Sequence, residues 1–250
     1  MGNTDMLLPV HWERPDNVGV IISSRCGGIS NAPFGSLNLA DHVGDDAKSV
    51  LQNRKLLAER FSKISWWQWL DQVHGTEVAV SLPSAQVPQA DALYTRQPGI
   101  ACCVLTADCL PVLLTNHAGD EIGVAHAGWR GLAAGVIESC VSKFTSTPQD
   151  LLAYLGPAIG PCHFEVGEDV YAAFQNQLSL RQMESCFQSL EADGKFLANL
   201  YALAEARLQA LGVRSITTDE RCTVCNPDTL YSFRRDGETG RMVNAIYLKS

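Results

Sequence analysis

The stretch IACCVLTADCLPVLLTNHAGDEIGVAHAGWRG, residues 100–131, decides the fold. Three apolar runs within it, at about 100–106, 111–115 and 121–126, have the length of strands and are too short for buried helices. No crossover helix separates them, so they do not form a parallel sheet built from βαβ units. Gly131 to Phe144 then predicts a helix, opened by the turn Gly128-Trp129-Arg130-Gly131. Upstream, Val18 to Ile22 predicts a buried strand followed by a Gly-, Ser- and Asn-rich loop from Cys26 to about Asn38. Asp45 or Asp46 can cap a helix that places Val50, Leu57 and Phe61 on one face. The aromatic segment Ser65 to Leu70 predicts a strand, and further short strands are expected at about 76–80 and 91–95. Downstream, Leu151 to Leu155 is a strand and Leu200 to Leu211 a helix stopped by Gly212. Strands at Val213 to Thr217 and Arg241 to Leu248 close the chain. Strands outnumber helices, which predicts an α/β fold with mixed β-sheets in layers. No low-complexity linker or short-period repeat interrupts it, and residues 1–250 are read as a single domain.

The composition, 46% hydrophobic and 18% charged, is that of a globular chain. A net charge of −8 argues against nucleic acid or an anionic membrane as partner, while leaving room for a small basic pocket. No apolar run approaches the ~20 residues of a membrane span, and residues 1–5 do not open a secretory signal. Nine cysteines without framework spacing point to the reducing cytoplasm. Cys102 and Cys103, inside an apolar run, are expected in the core.

Three residues at the ends of strand-like runs carry the chemistry. They are His74 in Asp71-Gln72-Val73-His74-Gly75, Cys109 in Thr106-Ala107-Asp108-Cys109-Leu110-Pro111, and His126 in Ala125-His126-Ala127-Gly128. A thiolate with two imidazoles suits Zn²⁺, or Cu²⁺ in the same donors, and three protein ligands leave a position open. Two other readings compete: a satisfied core pair of histidines with a buried thiol, and a metal-free Cys109–His126 nucleophile and base. A multicopper oxidase centre would demand about ten His ligands by general copper chemistry, and the chain has six His. A single blue-copper centre wants an axial Met, yet none of Met1, Met6, Met183 and Met242 stands in a motif with a ligand.

These motifs occur in order with Ala90-Asp91-Ala92, Leu155-Gly156-Pro157-Ala158-Ile159-Gly160-Pro161, Phe164-Glu165-Val166, Arg221-Cys222-Thr223, Phe233-Arg234-Arg235-Asp236 and Thr239-Gly240-Arg241-Met242. Together they resemble the bacterial laccase-domain family, also called the purine nucleoside phosphorylase or peptidoglycan-editing-factor family. The likeness spans almost the whole chain, and Ala125-His126-Ala127-Gly128-Trp129-Arg130-Gly131 is its most specific element. The resemblance implies a four-layer α/β/β/α fold, shared distantly with a cysteine-hydrolase toxin domain, and zinc on His74, Cys109 and His126. It also implies phosphorolysis of adenosine, inosine and methylthioadenosine together with adenosine deamination. Other activities attached to the family are copper-dependent polyphenol oxidation and editing of peptidoglycan precursors. A non-enzymatic metal-binding protein is the remaining class. The expected partners are a small nucleoside and phosphate, and the expected state is a monomer.

Around the metal, Asp91 and Asp108 are candidates to orient a ligand imidazole or to act as general base. Arg25, Arg130, Arg234 and Arg235 are candidates to grip phosphate, with surface ion pairing as the plainer alternative. Trp66, Trp67 and Trp69 offer either a purine-stacking face or core packing. His163-Phe164-Glu165 with Cys222-Thr223-Val224-Cys225 mimics a zinc nucleobase deaminase, but Arg221 replaces the proline expected before the first Cys. That pair is therefore read as two unrelated thiols in a turn, and one zinc per chain is expected.

Overall fold

The computed structural model describes residues 5–80, 86–191 and 194–249. Its first half runs β1 (Val18–Ile22), α1 (Ala47–Glu59), β2 (Trp66–Gln68), β3 (Val78–Val80), β4 (Ala92–Thr95), β5 (Ile100–Thr106), β6 (Leu110–Asn116) and β7 (Ile122–Ala127). Then come α2 (Trp129–Ala134), α3 (Val136–Val141), β8 (Leu151–Leu155), β9 (Glu165–Gly167), α4 (Glu168–Gln175), α5 (Leu180–Cys186), β10 (Phe187–Ser189) and β11 (Lys195–Ala198). The chain ends with α6 (Leu200–Leu211), β12 (Ser215–Thr218), α7 (Phe233–Asp236) and β13 (Met242–Leu248). A four-stranded sheet has the order β1-β13-β5-β2, and a six-stranded sheet the order β12-β8-β6-β7-β4-β3. Both are mixed: β2–β5, β3–β4 and β8–β12 pair in parallel, the other neighbours antiparallel. A small antiparallel sheet, β10-β11-β9, lies apart from them.

The two-residue period of the strands sorts their side chains into three cores. On β6, Leu110, Val112 and Leu114 pack with Ile137 of α3, Phe174 of α4 and Leu203 of α6. Leu113, on the opposite face, meets Val104 of β5 and Ile246 of β13, so this second core fills the space between the large sheets. Ala101, Cys103 and Leu105 point outward from β5 and are covered by Leu57 of α1 with Leu37 and Leu39 of the preceding loop. The layers are therefore α/β/β/α. Every residue of β5, β6 and β7 is buried, because each strand is covered on both faces. That is why their sequence reads as unbroken apolar runs and not as an alternation.

The helix expected over Gly131 to Phe144 is two short helices. Gly135, at φ 103°, ends α2 and begins α3, a left-handed conformation that glycine adopts without a Cβ penalty. Between β9 and β11 the chain also forms α4, α5 and β10, none of which the sequence reading anticipated. Among the described residues no helix is long and apolar enough to cross a membrane.

Two connections carry the chain from the four-stranded to the six-stranded sheet, one between β2 and β3 and the other between β5 and β6. Each contains a non-glycine residue at positive φ, His74 at 59° and Asp108 at 96°. Strain of this kind persists where surrounding contacts over-determine it. Both crossings lie at the candidate site.

Candidate active site

The crossings bring His74 and Cys109 to the end of β7, where His126 stands. One donor atom from each residue lies within 4.8 Å of the other two. Cys109 Sγ is 3.8 Å from His74 Nε2, and the two imidazoles meet edge to face with centroids 4.8 Å apart. Ligand bonds of about 2.3 Å to sulfur and 2.0–2.1 Å to nitrogen put tetrahedral S and N donors about 3.5 Å apart. The donor set therefore fits zinc with small adjustments of side chain. His74 is exposed, Cys109 half-buried and His126 buried, so the set opens to solvent on the His74 side.

Asp91, fully buried just before β4, organises this arrangement. Its Oδ1 accepts from the His74 amide at 3.0 Å and makes a 2.8 Å bond with His126 Nδ1. Its Oδ2 accepts from the amides of Val73 at 3.1 Å and Gly75 at 2.6 Å. One carboxylate thus closes the His74 loop and fixes the His126 ring, leaving Nε2 of His126 to face the Cys109 sulfur. Burial works to raise the Asp91 pKa, but the His126 bond and the amide donors outweigh it and hold the group below the usual carboxylate range. A carboxylate behind a ligating imidazole sets the tautomer and strengthens the ligand.

Two glycines explain the spacing of the most specific motif. A Cβ on Gly128 would lie 2.9 Å from both Cys109 Sγ and His74 Cδ2, so a side chain there would fill the ligand cluster. A Cβ on Gly131, one turn on, would stand 3.0 Å from the Gly75 carbonyl. The start of α2 packs directly onto the His74 loop.

Without metal, Cys109 and His126 favour a thiolate–imidazolium pair. Burial pushes the Cys109 thiol up, yet the His126 and His74 imidazoles bring its pKa down to about 6. Burial likewise depresses His126, but the Cys109 thiolate and Asp91 raise its pKa to about 9. Cys109, His126 and Asp91 thus form a continuous chain of thiolate, imidazolium and carboxylate.

Asp108 ties together parts of the fold that are far apart in sequence. Its Oδ1 accepts from Thr223 Oγ1 at 2.5 Å and its Oδ2 from the Arg234 amide at 2.7 Å, so the carboxylate fastens two distant segments behind Cys109. Three of the four arginines are engaged by the protein itself. Arg25 donates to the carbonyls of Gly35 and Pro227, Arg234 to those of His163 and Glu165, and Arg235 to Thr223, Val224 and Leu230 while pairing with Asp236. Arg130 is exposed, lies over the Trp129 ring and has no acidic or carbonyl partner among the described residues. Arg241 was missed: burial lowers its pKa, while Cys109 and Asp108 lie close enough to work in the opposite direction. Trp67 and Trp69 stack on each other against the outer core beneath α1. Cys222 and Cys225 are not unrelated thiols, for Cys162 and His163 join them in a second donor cluster. Glu165, the apparent deaminase acid, pairs with Lys195 at 3.4 Å.

The chain belongs to the family described as multi-copper polyphenol oxidoreductase laccase, whose profile matches residues 19–249. It is 45% identical over 244 residues to the Escherichia coli K12 protein named purine nucleoside phosphorylase YfiH, covering 97% of this chain and 98% of that one. A Haemophilus influenzae protein named purine nucleoside phosphorylase is 43% identical, with 96% and 98% covered. Among solved structures, the Neisseria meningitidis protein NMB0706 superposes with a TM-score of 0.92 at 41% identity, covering 98% of this chain and all of the other.

Proposed function

We propose that this chain is a cytoplasmic, monomeric, zinc-dependent purine nucleoside enzyme that phosphorolyses adenosine, inosine and methylthioadenosine and deaminates adenosine. The observation that carries this reading is the unsaturated His74–Cys109–His126 set braced by Asp91, in a family whose relatives bear the name purine nucleoside phosphorylase. Bound there, zinc would supply Lewis acidity toward an oxygen in its open position. Asp91 keeps the proton on His126 Nδ1, so that Nε2 presents its lone pair to the site. Arg130, between the glycine that touches the ligands and the glycine that touches the His74 loop, offers uncommitted donors to phosphate at the rim. Three of the methionines, Met6, Met183 and Met242, belong to the hydrophobic cores, which speaks against a blue-copper centre with an axial Met. Copper entering the same donors by affinity alone accounts for oxidase chemistry without making it the role.

The depressed Cys109 pKa favours one second reading, in which the Cys109 thiolate adds to a peptide carbonyl of a cell-wall precursor, the His126 imidazolium protonates the departing amine, and water then hydrolyses the thioester. The two readings separate on incubation of zinc-loaded protein with adenosine, with and without phosphate. Adenine released only with phosphate supports phosphorolysis, and inosine supports deamination. Silence on nucleosides with cleavage of a muramyl peptide refutes the first reading in favour of the second.

A further inference from the structure

The second donor cluster is built from two segments far apart in sequence. Cys162 and His163 lie in the turn before β9, Cys222 and Cys225 in the loop between β12 and α7. A parallel bridge between Ala158 and Cys222 joins these segments, and the Thr223 amide donates to the Ala158 carbonyl at 3.0 Å. All four donor atoms lie within 4.8 Å of one another. Cys162 Sγ and Cys225 Sγ are 3.7 Å apart. His163 Nδ1 is 3.1 Å from Cys162 Sγ, 3.4 Å from Cys225 Sγ and 3.8 Å from Cys222 Sγ.

A zinc tetrahedron with the bond lengths given above has S···S edges of about 3.8 Å and S···N edges of about 3.5 Å. The four separations above, 3.1–3.8 Å, scatter around those edges. Gly160 adds an independent sign. Its amide donates to Cys222 Sγ at 3.2 Å, the contact that supports a metal-bound thiolate, and a Cβ on it would press on Cys162 Sγ and Cys222 Sγ, each 3.3 Å away. The core thiols behave otherwise: Cys102 and Cys103 are neighbours in sequence but point into different cores.

We propose that Cys162, His163, Cys222 and Cys225 bind a structural zinc ion. Four protein ligands close the coordination sphere, where the three at the first site leave it open. Binding releases the three thiol protons to solvent and keeps His163 neutral, coordinated through Nδ1, so the completed site carries one net negative charge. The ion would clamp the Cys222–Cys225 loop to the turn before β9. That loop supplies the Thr223 hydroxyl to Asp108, the residue before Cys109, so the clamp braces the wall behind the first site.

The test is zinc stoichiometry of the full chain, purified without chelator and freed of excess metal. Parent, Cys162→Ser/Cys225→Ser and Cys109→Ser proteins are compared by elemental analysis. Cys162 and Cys225 are exposed, which makes the serine replacements mild. The double variant is expected to hold one zinc fewer than the parent, whatever the parent's total. Loss at Cys109→Ser reports separately on the first site, so either assignment can fail alone. Should the double variant misfold, cobalt titration of Cys109→Ser decides, since a three-thiolate tetrahedral site gives intense sulfur-to-cobalt charge transfer. Equal zinc in parent and double variant, no such cobalt spectrum, or a Cys162–Cys225 disulfide in the unreduced chain would overturn the proposal.

Discussion

Replacing Asp91 by asparagine tests the organising role of this carboxylate at little cost in volume. The two oxygens of Asp91 serve four hydrogen bonds, two to each oxygen. Asparagine has one acceptor oxygen, so only two of the four survive. If the amide nitrogen takes the place of Oδ1, it faces His126 Nδ1 and forces the proton onto Nε2, where it blocks the metal. If it takes the place of Oδ2, it faces the Val73 and Gly75 amides and opens the His74 loop. Either orientation disables one ligand. Loss of two charge-assisted bonds at roughly 1.5–3 kcal/mol each gives a destabilisation of about 3–6 kcal/mol before relaxation. Zinc affinity should fall roughly ten- to a hundredfold, as for other supports behind a ligating histidine. Competition against a chromophoric chelator measures the second quantity, and denaturant unfolding of the metal-free chain the first. Zinc affinity within twofold of the parent would refute the argument that Asp91 positions the ligands.

Three further outcomes follow from the same geometry. Gly128→Ala meets no backbone strain at φ −61°, but its methyl collides with two ligands; zinc binding should be lost while circular dichroism retains the fold, and overpacking should cost about 1–3 kcal/mol. Arg130→Ala should raise the phosphate half-saturation roughly ten- to a hundredfold, about 1.5–3 kcal/mol, with the adenosine KM little changed, as read from rates across phosphate concentrations. In the metal-free chain, Cys109 with its pKa near 6 is a thiolate at pH 7, so alkylation followed by peptide mass spectrometry should show fast labelling that falls only as the pH drops through 6. An unperturbed thiol would already lose reactivity below about pH 8.5, and zinc should protect Cys109.

Much of this was legible where one physical signal dominated. The strands of 100–127 are apolar throughout because both faces are covered, and α6 carries its own stop in Gly212, at φ 99°. Asn199 caps α6 by accepting from the amides of Tyr201 and Ala202. The break at Gly135 was hidden because a single glycine is tolerated inside a helical pattern. Helices α4 and α5 are short, and α5 begins with an exposed Leu180 that blurs its apolar face. That His74, Cys109 and His126 could act as metal donors was legible as chemistry, but the four bonds of Asp91 depend on how the β2–β3 connection folds over it. In the second cluster, His163, Cys222 and Cys225 were noticed together but set aside, and Cys162 was not counted with them: about sixty residues separate the two halves, and the Ala158–Cys222 bridge that joins them is not visible in sequence. For the arginines, sequence marks a charge but not the carbonyls that engage it, which is why Arg25, Arg234 and Arg235 looked as available as Arg130.

The central claim is that the His74, Cys109 and His126 metal centre acts on purine nucleosides. The most direct measurement follows adenosine by chromatography in parent and Cys109→Ser proteins, with and without phosphate, alongside zinc content in the same samples. The parent should release adenine only with phosphate and form some inosine, and the variant should lose both together with its first-site zinc. Undiminished nucleoside turnover by a variant that has lost that zinc would contradict it.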